Sequence, residues 1–208
     1  MIRVLLAVLT LAQASTSPAS SPDEAAYIAA ITQRAQKNVA ALNLDDAEKA
    51  GRVRTLIVQQ YRGLREIDSL REQLRQSKGA DEVKSAIAEA RQERHRMFLD
   101  ALASELTPAQ VDQIKDEMTY HKVQVTYDAY LEMDRGLNDQ QKAQVMEFLK
   151  QAREEAMDGG SAEEKSAIFK KYKGKINNYL AAQGIDHKKG EKEWSERQNA
   201  KSATTQAD

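Results

Sequence analysis

The sequence predicts an all-α fold, a single-domain antiparallel bundle of about six to seven helices. Three observations carry this expectation. Ala, Glu, Lys, Gln and Arg dominate the composition, Pro occurs only three times, and such chains favour helix. Capping signals recur at helix-length spacing. Between them the apolar residues return every third or fourth position, the repeat of one helix face.

The N-terminus reads as an address rather than as part of the fold. Arg3 gives a positive start, Val4 to Ala12 is apolar except for Thr10, and Ala12-Gln13-Ala14 is a small-x-small cleavage site. That order of parts predicts a secretory signal peptide over residues 1–14, cut after Ala14, and a protein of the periplasm or the exterior. No other segment approaches the about 18 apolar residues of a membrane span. Residues 15–22 then form a linker, 23–198 the helical domain and 199–208 a disordered polar tail.

A capping box places a short acceptor side chain at the N-cap and Glu or Gln three residues later, so that two orphan N–H groups are satisfied. Ser21…Glu24, Asp45…Glu48, Thr107…Gln110, Asn138…Gln141 and Ser161…Glu164 fit this spacing, with Pro22 and Pro108 at first-turn positions. The first segment offers Ile28, Ile31, Ala35, Val39 and Leu42 to a core. The second offers Val53, Ile57, Tyr61, Leu64, Ile67 and Leu74, and the third Val83, Ile87, Ala90, Met97, Ala101 and Leu102. These two long segments, joined around Ser77-Lys78-Gly79, predict an antiparallel hairpin. The fourth starts at Thr107. Lys122 to Tyr127 then alternates and carries β-branched residues, which predicts a kink or short extended break near 119–126. A fifth helix is expected from about Asp139 to Met157 and a sixth from about Ala162 to Gln183; a short charged helix then holds Trp194.

Composition excludes several function classes. Without residues 1–14 the chain has 30 Lys and Arg against 32 Asp and Glu, so no global field draws nucleic acid. Cys is absent, so neither a disulfide nor a thiol nucleophile is available. His95, His121 and His187 lie far apart, no zinc-protease spacing occurs, and no Gly-rich phosphate loop is present. No metal or cofactor and no catalytic residue is therefore expected. Glu154 and Asp158, four apart, share a helix face; as an acidic edge they need no catalytic role. Ser161 follows a glycine pair but reads as an N-cap, not a nucleophile.

The chemistry-bearing stretch is Lys115 to Tyr179, with five of the seven Tyr. Thr119-Tyr120 recurs as Thr126-Tyr127. A tyrosine offers an apolar face to a sugar ring and a hydroxyl to its oxygens, although it equally suits a helix–helix seam. Lys170, Lys171, Lys173 and Lys175 crowd around Tyr172 and Gly174, followed by Asn177-Asn178-Tyr179. Gly and adjacent Asn are poor helix formers, so a helix that accepts them points to close backbone approach, a buried amide network or a ligand. The candidate ligand-binding set is Tyr120, Tyr127, Arg153, Lys171, Tyr172, Lys173, Asn177, Asn178 and Tyr179, expected to meet on one concave surface.

Four blocks support a resemblance: Lys115-Asp116-x-Met118-Thr119-Tyr120, Thr126-Tyr127-x-Ala129-Tyr130-x-x-Met133, Ala152-Arg153-Glu154-x-Ala156-Met157-Asp158-x-Gly160-Ser161, and Lys171 through Leu180. Together they resemble the exported bacterial family known as domain of unknown function 3826, whose association with polysaccharide use implies an oligosaccharide or polysaccharide partner, including uronate-bearing ones. That family's pattern has Arg where Lys175 stands and Gly where His121 stands. A second resemblance competes. Leu106-Thr107-x-x-Gln110 and Leu137-Asn138-x-x-Gln141 are similar to the paired L-T-x-x-Q motifs of periplasmic helical chaperones and stress sensors. A polysaccharide lyase, with Tyr as base and Lys or Arg neutralising a uronate, is the third expectation. The sequence leaves the oligomeric state open.

Overall fold

The computed structural model describes residues 22–205. The signal peptide, the linker up to Ser21 and the Ser21…Glu24 box therefore lie outside the described residues, as do 206–208. Eight helices and no strand occur among the described residues. They are α1 (Pro22–Ala40), α2 (Ala47–Arg75), α3 (Ala80–Glu105), α4 (Pro108–Met118), α5 (Lys122–Met133), α6 (Asp139–Met157), α7 (Ala162–Ala182) and α8 (His187–Thr205). None is long and apolar enough to cross a membrane.

The helix starts follow local chemistry. Thr107 and Asn138 each close a full capping box with Gln110 and Gln141. Ser161 Oγ accepts from the Glu164 N–H at 3.1 Å, while the Glu164 carboxylate accepts from the Gly160 N–H, one residue earlier than a standard box. At α2 the cap is Asp46 rather than Asp45: Asp46 Oδ1 accepts from the Lys49 N–H at 2.9 Å.

The fourth segment splits into two helices without any extended strand. Tyr120 and His121 take left-handed φ values of 60° and 53°, which turns the chain sharply after Met118. Helix resumes at Lys122 because Val123, Thr126 and Tyr130 bury one face at helical spacing, while Val125 is left exposed. The alternation that suggested a strand is overridden by this burial. The last helix is longer than expected and runs through Thr205, across the start of the segment read as a polar tail.

Two main apolar cores share α6. The first gathers Ile31, Ile57, Tyr61, Leu102 and Ile114 from α1 to α4, and receives Met157 from the end of α6. The second joins α5, α6 and α7 through Tyr130, Leu149, Ala152, Phe169 and Ile176. The hairpin of α2 and α3 continues beyond the first core, and Ile67, Val83 and Ile87 seal its far half. Phe98, not Met97, faces inward on α3; Met97 is 52% exposed. The helix α8 docks on α5. Trp194 Nε1 donates to Glu132 at 2.7 Å, and His187 Nδ1 lies 2.6 Å from the buried carboxylate of Asp134.

Candidate functional site

The nine side chains singled out in the sequence are spread over several environments. Tyr127, Tyr172 and Tyr179 pack in or against the second core, and Tyr172 is only 7% exposed. Asn177 is half-buried, and its Oδ1 accepts from the Tyr130 hydroxyl at 2.6 Å, whereas Asn178 is exposed. Arg153 is buried on the side of α6 that faces α4. Its Nη1 donates to Asp116 and its Nη2 to Asp112, both at 2.8 Å. Lys171 donates to both oxygens of Glu155, at 2.9 and 3.0 Å. Tyr120, Lys173 and Asn178 are exposed. A Cβ on Gly174 would meet nothing, so this glycine does not mark a close backbone approach.

The concave surface lies elsewhere, between the hairpin and the α6–α7 pair. An open groove of about 630 Å³ is lined by Arg71 of α2, Arg91 and His95 of α3, Glu154 of α6 with its cap Asp158, and Ile168 of α7. It shares Arg71, Ala88, Arg91 and Glu155 with a hollow of about 740 Å³ nearer the hairpin tip, where Arg75, Lys78 and Lys84 stand over Val83 and Ile87. The surface thus changes from cationic at the tip to mixed acid and base at the inner end. Arg153 and Lys171 reach it only through their pairing with Glu154 and Glu155.

The inner end is built from four helices. His95 Nδ1 lies 3.0 Å from Asp158 Oδ2, within reach of the carboxylate although not aimed straight at it. Gln60, fully buried on α2, donates from Nε2 to Asp158 Oδ1 at 3.2 Å and accepts at Oε1 from Arg94 Nε at 2.8 Å. Arg94 lies across Gly63, where a Cβ would come within 2.6 Å of its guanidinium. On the other side of the ring, His95 Nε2 is 3.7 Å from Glu154 Oε2, and Lys115 of α4 holds that carboxylate at 2.9 and 3.1 Å. Arg91 stands one turn before His95 and donates to Asp68 at 3.0 Å, while its buried Nε has no partner.

The model of a family described as a protein of unknown function (DUF3826) matches residues 28–200. The chain belongs to the DUF3826 family. A comparison with curated proteins finds no match.

In this DUF3826 protein the electrostatics of the groove follow from that packing. The Asp158 carboxylate raises the pKa of His95 above its ordinary value, and burial opposes the shift. Behind the site, burial pushes the Lys165 ammonium down to about 8. Lys165 Nζ donates to the Ala156 and Met157 carbonyls at the end of α6, and the Ala156 carbonyl also accepts from the Gly159 N–H. Glu154, Asp158 and His95 do not make a metal centre, because the two carboxylates face different ring nitrogens; among the described residues no cluster of three ligating side chains forms. The sequence offered Glu154 and Asp158 as carboxylates sharing a face, either for acid–base work or as an acidic edge, and did not connect them with His95. The i, i+4 spacing of the carboxylates was the one available signal; their histidine comes from a distant helix.

Proposed function

We propose that this member of the DUF3826 family is an exported protein that binds an acidic glycan in the groove between the α2–α3 hairpin and the α6–α7 pair. The observation that supports this most is the polarity gradient of one continuous surface, from Arg75, Lys78 and Lys84 at the tip, past Arg71, Arg91 and Glu155, to His95, Glu154, Asp158 and Glu164 at the inner end. Guanidinium and ammonium groups recognise a uronate carboxylate, and carboxylates and imidazole bond vicinal hydroxyls. Ala88, Ala167 and Ile168 offer small apolar areas to the C–H face of a ring.

Calorimetric titration with uronate-bearing and neutral oligosaccharides tests the reading. Uronates should bind, neutral sugars more weakly, and added salt should weaken the uronate complex by screening. Lys84 is exposed and outside both cores, so Lys84→Ala should reduce affinity without altering the fold. Equal binding of neutral and acidic sugars, or none of either, would overturn the proposal. The export reading has its own test. Protein from the envelope fraction should begin at Ser15, and retention of Met1 would contradict it.

A further inference from the structure

We propose that the inner end of the groove is a catalytic site, at which His95 transfers a proton in β-elimination on a uronate-bearing glycan while Arg91 neutralises the uronate carboxylate. This rests on the glycan-binding reading and adds a reaction to it. The geometry is that of an ion pair with further side chains packed behind its carboxylate. Asp158 sits behind one ring nitrogen of His95, and is itself fixed by fully buried Gln60, which Arg94 holds in turn. The other ring nitrogen lies on the side of Glu154, at 3.7 Å and thus beyond a hydrogen bond, and both residues line the groove. A tie between α3 and α6 would need the pair alone, without a relay of buried side chains behind it.

The i, i+4 relation of Arg91 and His95 supplies what elimination demands. The proton on C5 of a uronate is weakly acidic because it neighbours the carboxylate, and it becomes more so when a cation neutralises that carboxylate. Arg91 stands one helical turn from the base and lines the groove, with its Nη2 donating to Asp68 at 3.0 Å. In the step, neutral His95 Nε2 takes the C5 proton. The C5–H electron pair becomes the second bond of C4=C5, and the C4–O4 bond breaks. The leaving O4 takes the proton back from His95 Nε2, which restores the neutral ring. One chain becomes two, one ending in an unsaturated uronate, and no water, oxidant or further reactant is consumed.

The charged groups that face His95 are Arg91 on its own helix, Asp158 and Glu154 on α6, and Lys115 on α4; Gln60 of α2 is uncharged. Because the carboxylates outweigh the cations in raising its pKa, the neutral ring needed for catalysis forms at a pH above that of an ordinary imidazole. Turnover should therefore climb with pH through that raised value. Asp158 is a positioning residue, and Asp158→Asn should move the profile toward lower pH as well as slow the reaction.

The experiment incubates the protein with oligogalacturonate, oligomannuronate, oligoguluronate and a glucuronate-containing glycan, follows the ultraviolet absorbance of the C4=C5 product, and measures binding of each sugar by calorimetry alongside. At least one uronate should yield unsaturated product. His95→Gln should lower turnover at saturating substrate by at least about 100-fold, the lower range for loss of a general base. A uronate that binds and is not cleaved, or full turnover by His95→Gln, would overturn the catalytic inference and leave the binding reading standing. Failure of every uronate to bind would remove both. If His95→Gln does not fold, Asp158→Asn decides the matter, and an unshifted pH profile would overturn the inference.

Discussion

At the scale of single residues, Lys165 shows how a charge is kept inside a helical protein. It is 1% exposed and lies over the Tyr61 ring, with its ammonium on the last carbonyls of α6. Its folded pKa of about 8 lies below the about 10.4 of an unfolded lysine. Below pH 8 both states are charged and the burial penalty is fully present. As pH rises from about 8 to about 10.4 the folded lysine loses its proton first, so stability should rise, by at most about 3 kcal/mol. Tyr61 acts in the opposite direction above pH 10, since burial raises its folded pKa to about 12 and the unfolded tyrosine ionises first. Denaturant unfolding followed from pH 7 to 10 should show the rise, and Lys165→Met should remove it; a flat wild-type profile would contradict the account. The neighbouring strain is local. His121 holds φ at 53° and is exposed, so His121→Gly should raise the unfolding free energy by about 1 kcal/mol even after its pairing with Glu117 is lost. A lower Tm in that variant would show that the Glu117 contact outweighs the strain.

At the scale of helices, the sequence was most legible where structure is local. Thr107, Asn138 and Ser161 cap the helices they were expected to cap, because a cap is decided within four residues. The core stripes of α1 and α2 were legible for a similar reason, since one face of a helix repeats in sequence. Ser161→Ala should cost about 1 kcal/mol by removing the acceptor for the Glu164 N–H, as read from chemical denaturation. Loss of function at unchanged stability would give Ser161 a different role. Gly174 was less legible. Its place in α7 suggested a contact, yet open space surrounds it, so Gly174→Ala should stabilise the protein by about 1 kcal/mol. A destabilised variant would show that something approaches that backbone. The break after Met118 was placed correctly, and of the two forms expected the kink is the one observed. Two consecutive left-handed residues carry no mark in sequence when neither is glycine.

At the scale of the whole molecule, the groove was hidden from the sequence because its residues come from helices distant in the chain. Arg71 lies on α2, Arg91 and His95 on α3, Glu154 and Asp158 on α6 and its cap, and Ile168 on α7. Single-sequence periodicity assigns each to a polar face and says nothing of which faces meet. The tyrosines and asparagines drew attention instead, because a tyrosine suits a sugar face and adjacent asparagines are poor helix formers; in the fold Tyr172 is buried in the second core and Asn177 accepts from the Tyr130 hydroxyl. The two surfaces give different outcomes in one measurement, amide chemical-shift mapping during titration with the uronate oligosaccharide that binds most tightly. Binding in the groove predicts shifts concentrated at residues 68–95 of the hairpin and 154–168 of α6 and α7. Shifts confined to 120–130 and 172–179, or none at all, would contradict it.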